Sequence, residues 1–183
     1  MKKKGLPRLM EYAGGYRRLT YLSWVLSALS ALLALVPFVF IWLVVKEALE
    51  VAPDFSAARD MAFNGWMAVL FAVLSMLIYF AALMCSHVAA FRVASNIRRD
   101  VMKRVTELPV GFLERIGSGR ARKIVNESSA ATETYLAHQL PDMAGSAATA
   151  VGMIALLFVF DWILGLVSLL PVVVSFVIMG SMI

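Results

Sequence analysis

Apolar positions in this chain gather into four long stretches, residues 19–45, 61–91, 143–160 and 162–183, none of which contains Asp, Glu, Lys or Arg. A helix needs about 20 apolar residues to cross a hydrocarbon core of roughly 30 Å. Runs of this length predict spanning helices, because a water-soluble core accommodates one such run but not four. The expected fold is an all-α membrane protein with four transmembrane helices. Residues 1–18 are a polar, basic lead-in. Gly14 and Gly15 make that lead-in a poor continuous helix, and Leu6, Leu9, Met10 and Tyr12 suggest a short amphipathic piece lying at the membrane interface.

The second stretch does not stop at its last apolar residue. Beyond Phe91 the pattern changes period: Val93, Ile97, Val101, Val105 and Leu108 recur every three or four residues, while Arg92, Arg98, Arg99, Lys103 and Arg104 fill the other positions. This is the signature of an amphipathic helix continuing in register, and at 1.5 Å per residue the span from 61 to 108 approaches roughly 70 Å. Pro109 ends it. After the short segment Val110, Gly111, Phe112, Leu113, Glu114, Arg115 and Ile116, the chain is broken again by Gly117 and Gly119. A second stripe then begins, with Ser118 as the expected N-cap, running through Ala121, Ile124/Val125, Ser128, Ala131/Thr132, Tyr135 and Leu140. Two stripes around a reversal predict a long antiparallel helical hairpin, residues 92–142, between the second and third spans. A basic loop lying on lipid is the competing reading. The return helix enters the bilayer near Pro141 and Asp142, and the small residues that follow suit close helix contact. Pro37, Pro109 and Pro171 mark helix breaks or hinges, and Asp161-Trp162 a tight turn between the last two spans.

Charge orients this arrangement. Of 17 Lys and Arg residues, six precede Leu19 and nine lie from Arg92 to Lys123, whereas the 46–60 segment holds Glu47, Glu50, Asp54 and Asp60 against Lys46 and Arg59. The positive-inside rule then places the N-terminus and the hairpin in the cytoplasm of a multi-pass protein of the cell (inner or plasma) membrane. The net charge of +5 is therefore a topology signal; it calls for no nucleic-acid partner. The basic leader resembles a signal peptide, but the apolar run after it far exceeds an h-region of about 7–15 residues. A hydrophobic content of 61% and a mean hydropathy of +0.81 fit a lipid-embedded chain.

Chemistry-bearing motifs are sparse. Cys85 is the single cysteine, so no intrachain disulfide forms, and no metal-ligand spacing is present. No G-x-x-x-x-G-K-[ST] phosphate loop and no catalytic constellation exists. His87 and His138 stand apart in sequence and read as structural histidines, with a proton-relay role as the alternative. No charged residue falls mid-span, which argues against an ion-coupled carrier.

The order of elements resembles the transmembrane domain of ATP-binding cassette (ABC) transporters of the exporter-type (type IV) fold. The resemblance rests on Arg98-Arg99-Asp100 through Leu108-Pro109-Val110-Gly111-Phe112-Leu113-Glu114, on Gly117-Ser118-Gly119 followed by Lys123-Ile124-Val125-Asn126-Glu127, and on Asp161-Trp162-Ile163-Leu164-Gly165-Leu166. Lys123 stands where the family usually has arginine, and Glu127 where aspartate is common. The resemblance implies that Val110, Gly111, Phe112, Leu113, Glu114 and Arg115 form a coupling helix seated on a nucleotide-binding domain, with Phe112 and Leu113 as its apolar contacts. It also implies a partner transporter half, in a homo- or heterodimer, and ATP with Mg²⁺ on a nucleotide-binding domain that these residues do not encode. Six spans are expected of the family and four are present, so residues 19–183 read as the N-terminal part of a half-transporter, either a truncated piece or the product of a split gene. Alone it is not expected to be an enzyme. The expected function is the membrane-spanning part of an ATP-driven transporter, with a free-standing four-span assembly or regulatory protein as the alternative. The family includes siderophore importers, so the direction of transport stays open, and the absence of buried charge leans toward an amphipathic or lipophilic substrate.

Overall fold

Inside a bilayer no water is available to backbone N–H and C=O groups, so each span must satisfy them within itself, and helix is the economical solution. The computed structural model describes residues 5–109, 111, 115 and 117–181, and helix is the regular structure throughout. Helix α1 (Leu6–Ala13) and a single 3₁₀ turn (Gly14–Tyr16) lead into α2 (Arg17–Leu33) and α3 (Val36–Val51). Helix α4 (Met61–Thr106) follows, then α5 (Ser118–Thr134), a π-helical turn (Tyr135–Gln139), α6 (Leu140–Phe160) and α7 (Trp162–Ser181). Among the described residues, four continuous runs are long and apolar enough to cross a membrane: Leu6–Val51, Met61–Thr106, Ser118–Phe160 and Trp162–Ser181. Their number agrees with the four spanning helices expected.

The chain divides into two compact units, Met1–Ser27 with Leu77–Ala144 and Ala28–Met76 with Gly145–Ile183. In the first, Met10, Ala13, Ala90, Val93, Leu136 and Ala137 form one buried cluster, edged by Trp24, Ile97 and Leu140. Small residues dominate its wall: Ala82, Ala89, Ala90 and Ala94 on α4 are essentially inaccessible, which lets helix backbones approach closely. The lead-in also packs on protein. The apolar face of α1 is turned to protein, with Met10 and Ala13 inside this cluster.

The second unit carries the short connections. The bend expected near Pro37 coincides with a two-residue link between α2 and α3. Helix α2 ends at Leu33, i→i+3 bonds tighten the link, and Pro37 lies in the first turn of α3, where its missing N–H is not needed. Pro171, by contrast, sits inside an unbroken α7. Between α3 and α4, one carboxylate oxygen of Glu47 accepts the backbone N–H groups of Arg59 and Asp60 at 2.8 and 2.9 Å. Asp54 accepts both the hydroxyl and the backbone N–H of Ser56. These two bonds hold the Asp54 carboxyl below its ordinary range, the hydroxyl contributing most. Between α6 and α7 stands a single residue, Asp161, whose carboxylate caps α7 by accepting the Ile163 N–H at 2.7 Å. One turn later Gly165 has no side chain to give up: a Cβ there falls 2.5 Å from the Phe158 ring. Trp42 packs on Phe160, and Phe40 stacks on Phe71.

Candidate functional site

No Gly or Pro occurs between Gly65 and Pro109, so nothing in the sequence interrupts the hydrogen-bond ladder of α4. Its 46 residues make a rod of about 69 Å, more than twice a hydrocarbon core of roughly 30 Å. The amphipathic stripe falls where its period predicts: Val93 is fully buried, Ile97, Val101 and Val105 are half-buried, and Leu108 alone is exposed.

Helix α5 returns beside it, with two corrections. The residue that caps α5 is Gly117, at φ 77°, and Ser118 is the first helical residue without a side-chain cap; a positive φ favours glycine over serine there. The buried face runs through Ala121, Val125, Ser129 and Leu136/Ala137, so Ser129 replaces Ser128 and Ile124 points outward. Arg98 and Glu133 join the two helices at 3.7 Å, a partly exposed pair worth about 0–1 kcal/mol. Nearer the tip the stripes do not close completely. Met102 and Val105 face Ser118, Ala121, Arg122, Val125 and Asn126 across a groove of about 380 Å³, because Ala121 is too small to fill it.

The base of the hairpin is tied more firmly, and Pro141 is the reason. Proline has no N–H, and in a regular α-helix its ring also crowds the carbonyl four residues earlier, that of Ala137. The backbone answers with the π turn Tyr135–Gln139, in which the Leu140 N–H donates to Tyr135 O. The Ala137 carbonyl finds its donor on another helix: Ser86 Oγ of α4 donates to it at 2.9 Å. The carbonyl of Pro141 accepts Ser27 Oγ of α2 at 2.8 Å. Ser27, Ser86, Ala137 and Pro141 are buried, so two hydroxyls from two helices staple one weakened turn. Sequence analysis missed both serines. For Ser27 the signal is a periodic run of small polar residues in an apolar span (Thr20, Ser23, Ser27, Ser30, all buried) opposite a helix that contains proline.

Helix α1 braces the arm further out. Tyr12 Oη donates to Asp100 Oδ2 at 3.1 Å, Asn96 Nδ2 donates to Tyr12 O at 2.9 Å, and the Arg92 guanidinium lies over the Tyr16 ring at 5.4 Å. Arg17 donates back to Met10 O. The lead-in is thereby part of the arm.

At the tip, Gly111 and Arg115 are helical and exposed. Val110, Phe112, Leu113 and Glu114, the other expected coupling residues, lie outside the described residues, and Pro109 follows the end of α4 as expected. The structure brings together one pair that the sequence left apart. The His87 and His138 rings meet edge to face with centroids 4.8 Å apart, and His87 also lies 5.9 Å from the Phe91 ring. Among the described residues, no group of three or more His, Cys, Asp or Glu side chains gathers as a metal cluster.

Against known families, the model of the ABC transporter transmembrane region matches residues 19–183. The chain belongs to this family. Curated relatives include the mycobactin import ATP-binding/permease protein IrtA of Mycobacterium tuberculosis, 30% identical over 161 residues, which is 88% of this chain and 18% of that protein. The IrtA proteins of Mycolicibacterium thermoresistibile and Mycolicibacterium smegmatis are 30% and 26% identical over 160 and 162 residues. The chain spans less than a fifth of the length of these relatives, 17–18%. As an ABC transporter transmembrane region, it forms the membrane-spanning part of a transporter, which favours that reading over a free-standing four-span protein. The family-like turn at Asp161 through Leu166 now has a physical basis in the Asp161 cap and the close approach at Gly165. Lys123 and Glu127, the two departures, pair with each other at 3.8 Å on the surface, so neither is committed to a buried contact here.

Proposed function

We propose that the α4–α5 arm couples a nucleotide-binding domain to the membrane helices of an ATP-driven importer. The observation that carries this reading is the uninterrupted α4, which extends a rigid element well past any bilayer. Gly111 and Arg115, beyond its end, are helical and exposed, which supports a contact surface there. In this reading Val110, Gly111, Phe112, Leu113, Glu114 and Arg115 contact the nucleotide-binding domain, with Phe112 and Leu113 filling its groove. ATP and Mg²⁺ bind on that domain, and a second transporter half, identical or not, completes the translocation pathway. A rigid-body shift at the tip is then delivered undiminished to the base.

The N-terminus and the arm are cytoplasmic in this proposal and the protein lies in the plasma membrane, as the clustering of basic residues supports. The relatives are named for mycobactin import, and mycobactin or a similar amphipathic molecule is the substrate class we assign. The charge-free spans 19–45, 61–91, 143–160 and 162–183 suit a substrate with a large apolar part.

The test is Phe112→Asp in the complete transporter, reconstituted in vesicles with labelled mycobactin as substrate. Uptake is expected to fall at least tenfold while basal ATP hydrolysis and membrane insertion persist. Uptake at the unsubstituted rate overturns the coupling assignment. Uptake absent from the unsubstituted transporter, with ATP hydrolysis intact, overturns the substrate.

A further inference from the structure

The two histidines at the base of the hairpin satisfy a geometric condition that neither meets alone. Their centroids lie 4.8 Å apart, with the rings near perpendicular at 81°. A borderline transition metal bonds imidazole nitrogen at about 2.0–2.1 Å, which places the ion roughly 3.2 Å from each ring centre. Ligand angles between about 90° and 109° then set the two centres roughly 4.5–5.2 Å apart. The observed spacing falls inside that window.

The spacing is also imposed by the backbone. His87 follows Ser86, and His138 follows Ala137, the two residues joined by the 2.9 Å hydrogen bond across the helices. That bond fixes the separation of the two backbones one residue before the rings. The rings therefore lie close to bridging distance. The His87 ring contacts His138 of the π turn and Phe91 of its own helix. His138 is exposed and His87 half-exposed, so neither ring is enclosed by protein, and Phe91 lies beside His87.

We infer that His87 and His138 form a two-ligand site for a divalent, imidazole-preferring transition-metal ion such as Zn²⁺, Ni²⁺ or Cu²⁺. No third protein donor joins them among the described residues, so water completes the coordination and the ion exchanges readily. Such an ion ties α4 to the π turn Tyr135–Gln139 at the foot of the arm. Its occupancy favours whichever state of the transporter keeps these two elements adjacent.

The test uses the complete transporter in nanodiscs without an affinity tag, in the absence of ATP and substrate, so it is independent of the transport reading. Cu²⁺ is titrated and followed by electron paramagnetic resonance. The expected result is a saturable component with two equatorial imidazole nitrogens, displaced by Zn²⁺. Its affinity should fall at least tenfold in both His87→Gln and His138→Gln. Affinity within twofold of the unsubstituted protein in both variants overturns the site. Should either variant fail to fold, diethylpyrocarbonate labelling of the unsubstituted protein decides. Zn²⁺ is expected to protect His87 and His138 together at least fivefold, and unchanged labelling of either overturns the inference.

Discussion

Replacing Ser86 by alanine tests whether the foot of the arm is held together by a carbonyl that proline has orphaned. The substitution removes the Ser86 Oγ bond to Ala137 O at 2.9 Å, in a buried turn where Pro141, four residues on, has no N–H to offer that carbonyl. An unsatisfied buried polar group costs about 1–3 kcal/mol, whereas hydrogen bonds between membrane helices average about 0.6 and reach about 1.7 kcal/mol. The Ser86 hydroxyl has one proton and also approaches Leu83 O at 2.9 Å, so only part of its bonding serves Ala137. In most helices that sharing places the loss near the lower figure. Here Pro141 removes the backbone donor that would otherwise compensate, and about 1–2 kcal/mol is expected. The assay is unfolding of the complete transporter by sodium dodecyl sulfate in mixed micelles, for Ser86→Ala, Pro141→Ala and the double variant. Pro141→Ala supplies a backbone N–H at position 141, so Ser86→Ala should cost less than half as much in that background. Equal cost in both backgrounds refutes the reasoning, because the missing donor would then be irrelevant.

Three further outcomes follow from the same structure. Gly165→Ala should destabilise the α6–α7 turn by about 1–3 kcal/mol, since its Cβ meets the rigid root of the Phe158 ring at 2.5 Å; Gly152→Ala should cost less than half of that, because it meets only the flexible tips of Leu35 and Leu32 at 2.7 and 2.8 Å. Paired unfolding titrations check the order. Met10→Asp puts a charge into the buried cluster of the first unit and should release α1, read as faster proteolysis before Arg17 and a loss of about 2–4 kcal/mol. Ser56→Ala removes the larger of two influences that lower the Asp54 pKa. A carboxyl lowered in the folded state lends stability above its unfolded value and loses it as pH falls through the folded value. In Ser56→Ala the folded value should move up toward the unfolded one, so the loss should be smaller and complete at a higher pH; an NMR titration of the Asp54 carboxyl reads the upward move.

Much of the fold was legible because membrane spans are long, periodic and uncharged. The stripe from Val93 to Val105 announced the arm in the same way: only a helix continuing past Phe91 keeps those residues on one face. The register of α5 was less legible. Ala, Ser and Thr alternate there with little difference in hydrophobicity, so Ser128 and Ser129 are not distinguishable by period alone. The docking of α1 was hidden for a related reason, since an amphipathic octamer serves equally well against lipid or protein, and the partners of Tyr12, Asn96 and Asp100, are over 80 residues away. The joint at the base required three separate facts to meet. Proline at 141, serine at 86 and serine at 27 are each ordinary, and only their packing makes them a unit. His87 and His138 illustrate the same limit, because nothing local to either residue signals the other.

The single-residue passage at Asp161 has a practical corollary for anyone labelling the protein. With α6 ending at Phe160 and α7 beginning at Trp162, and Gly165 lodged against Phe158, that corner has no slack for an inserted tag or epitope. Reporters for this side of the molecule belong in the roomier stretch that links α3 to α4, away from the Glu47 clasp on Arg59 and Asp60.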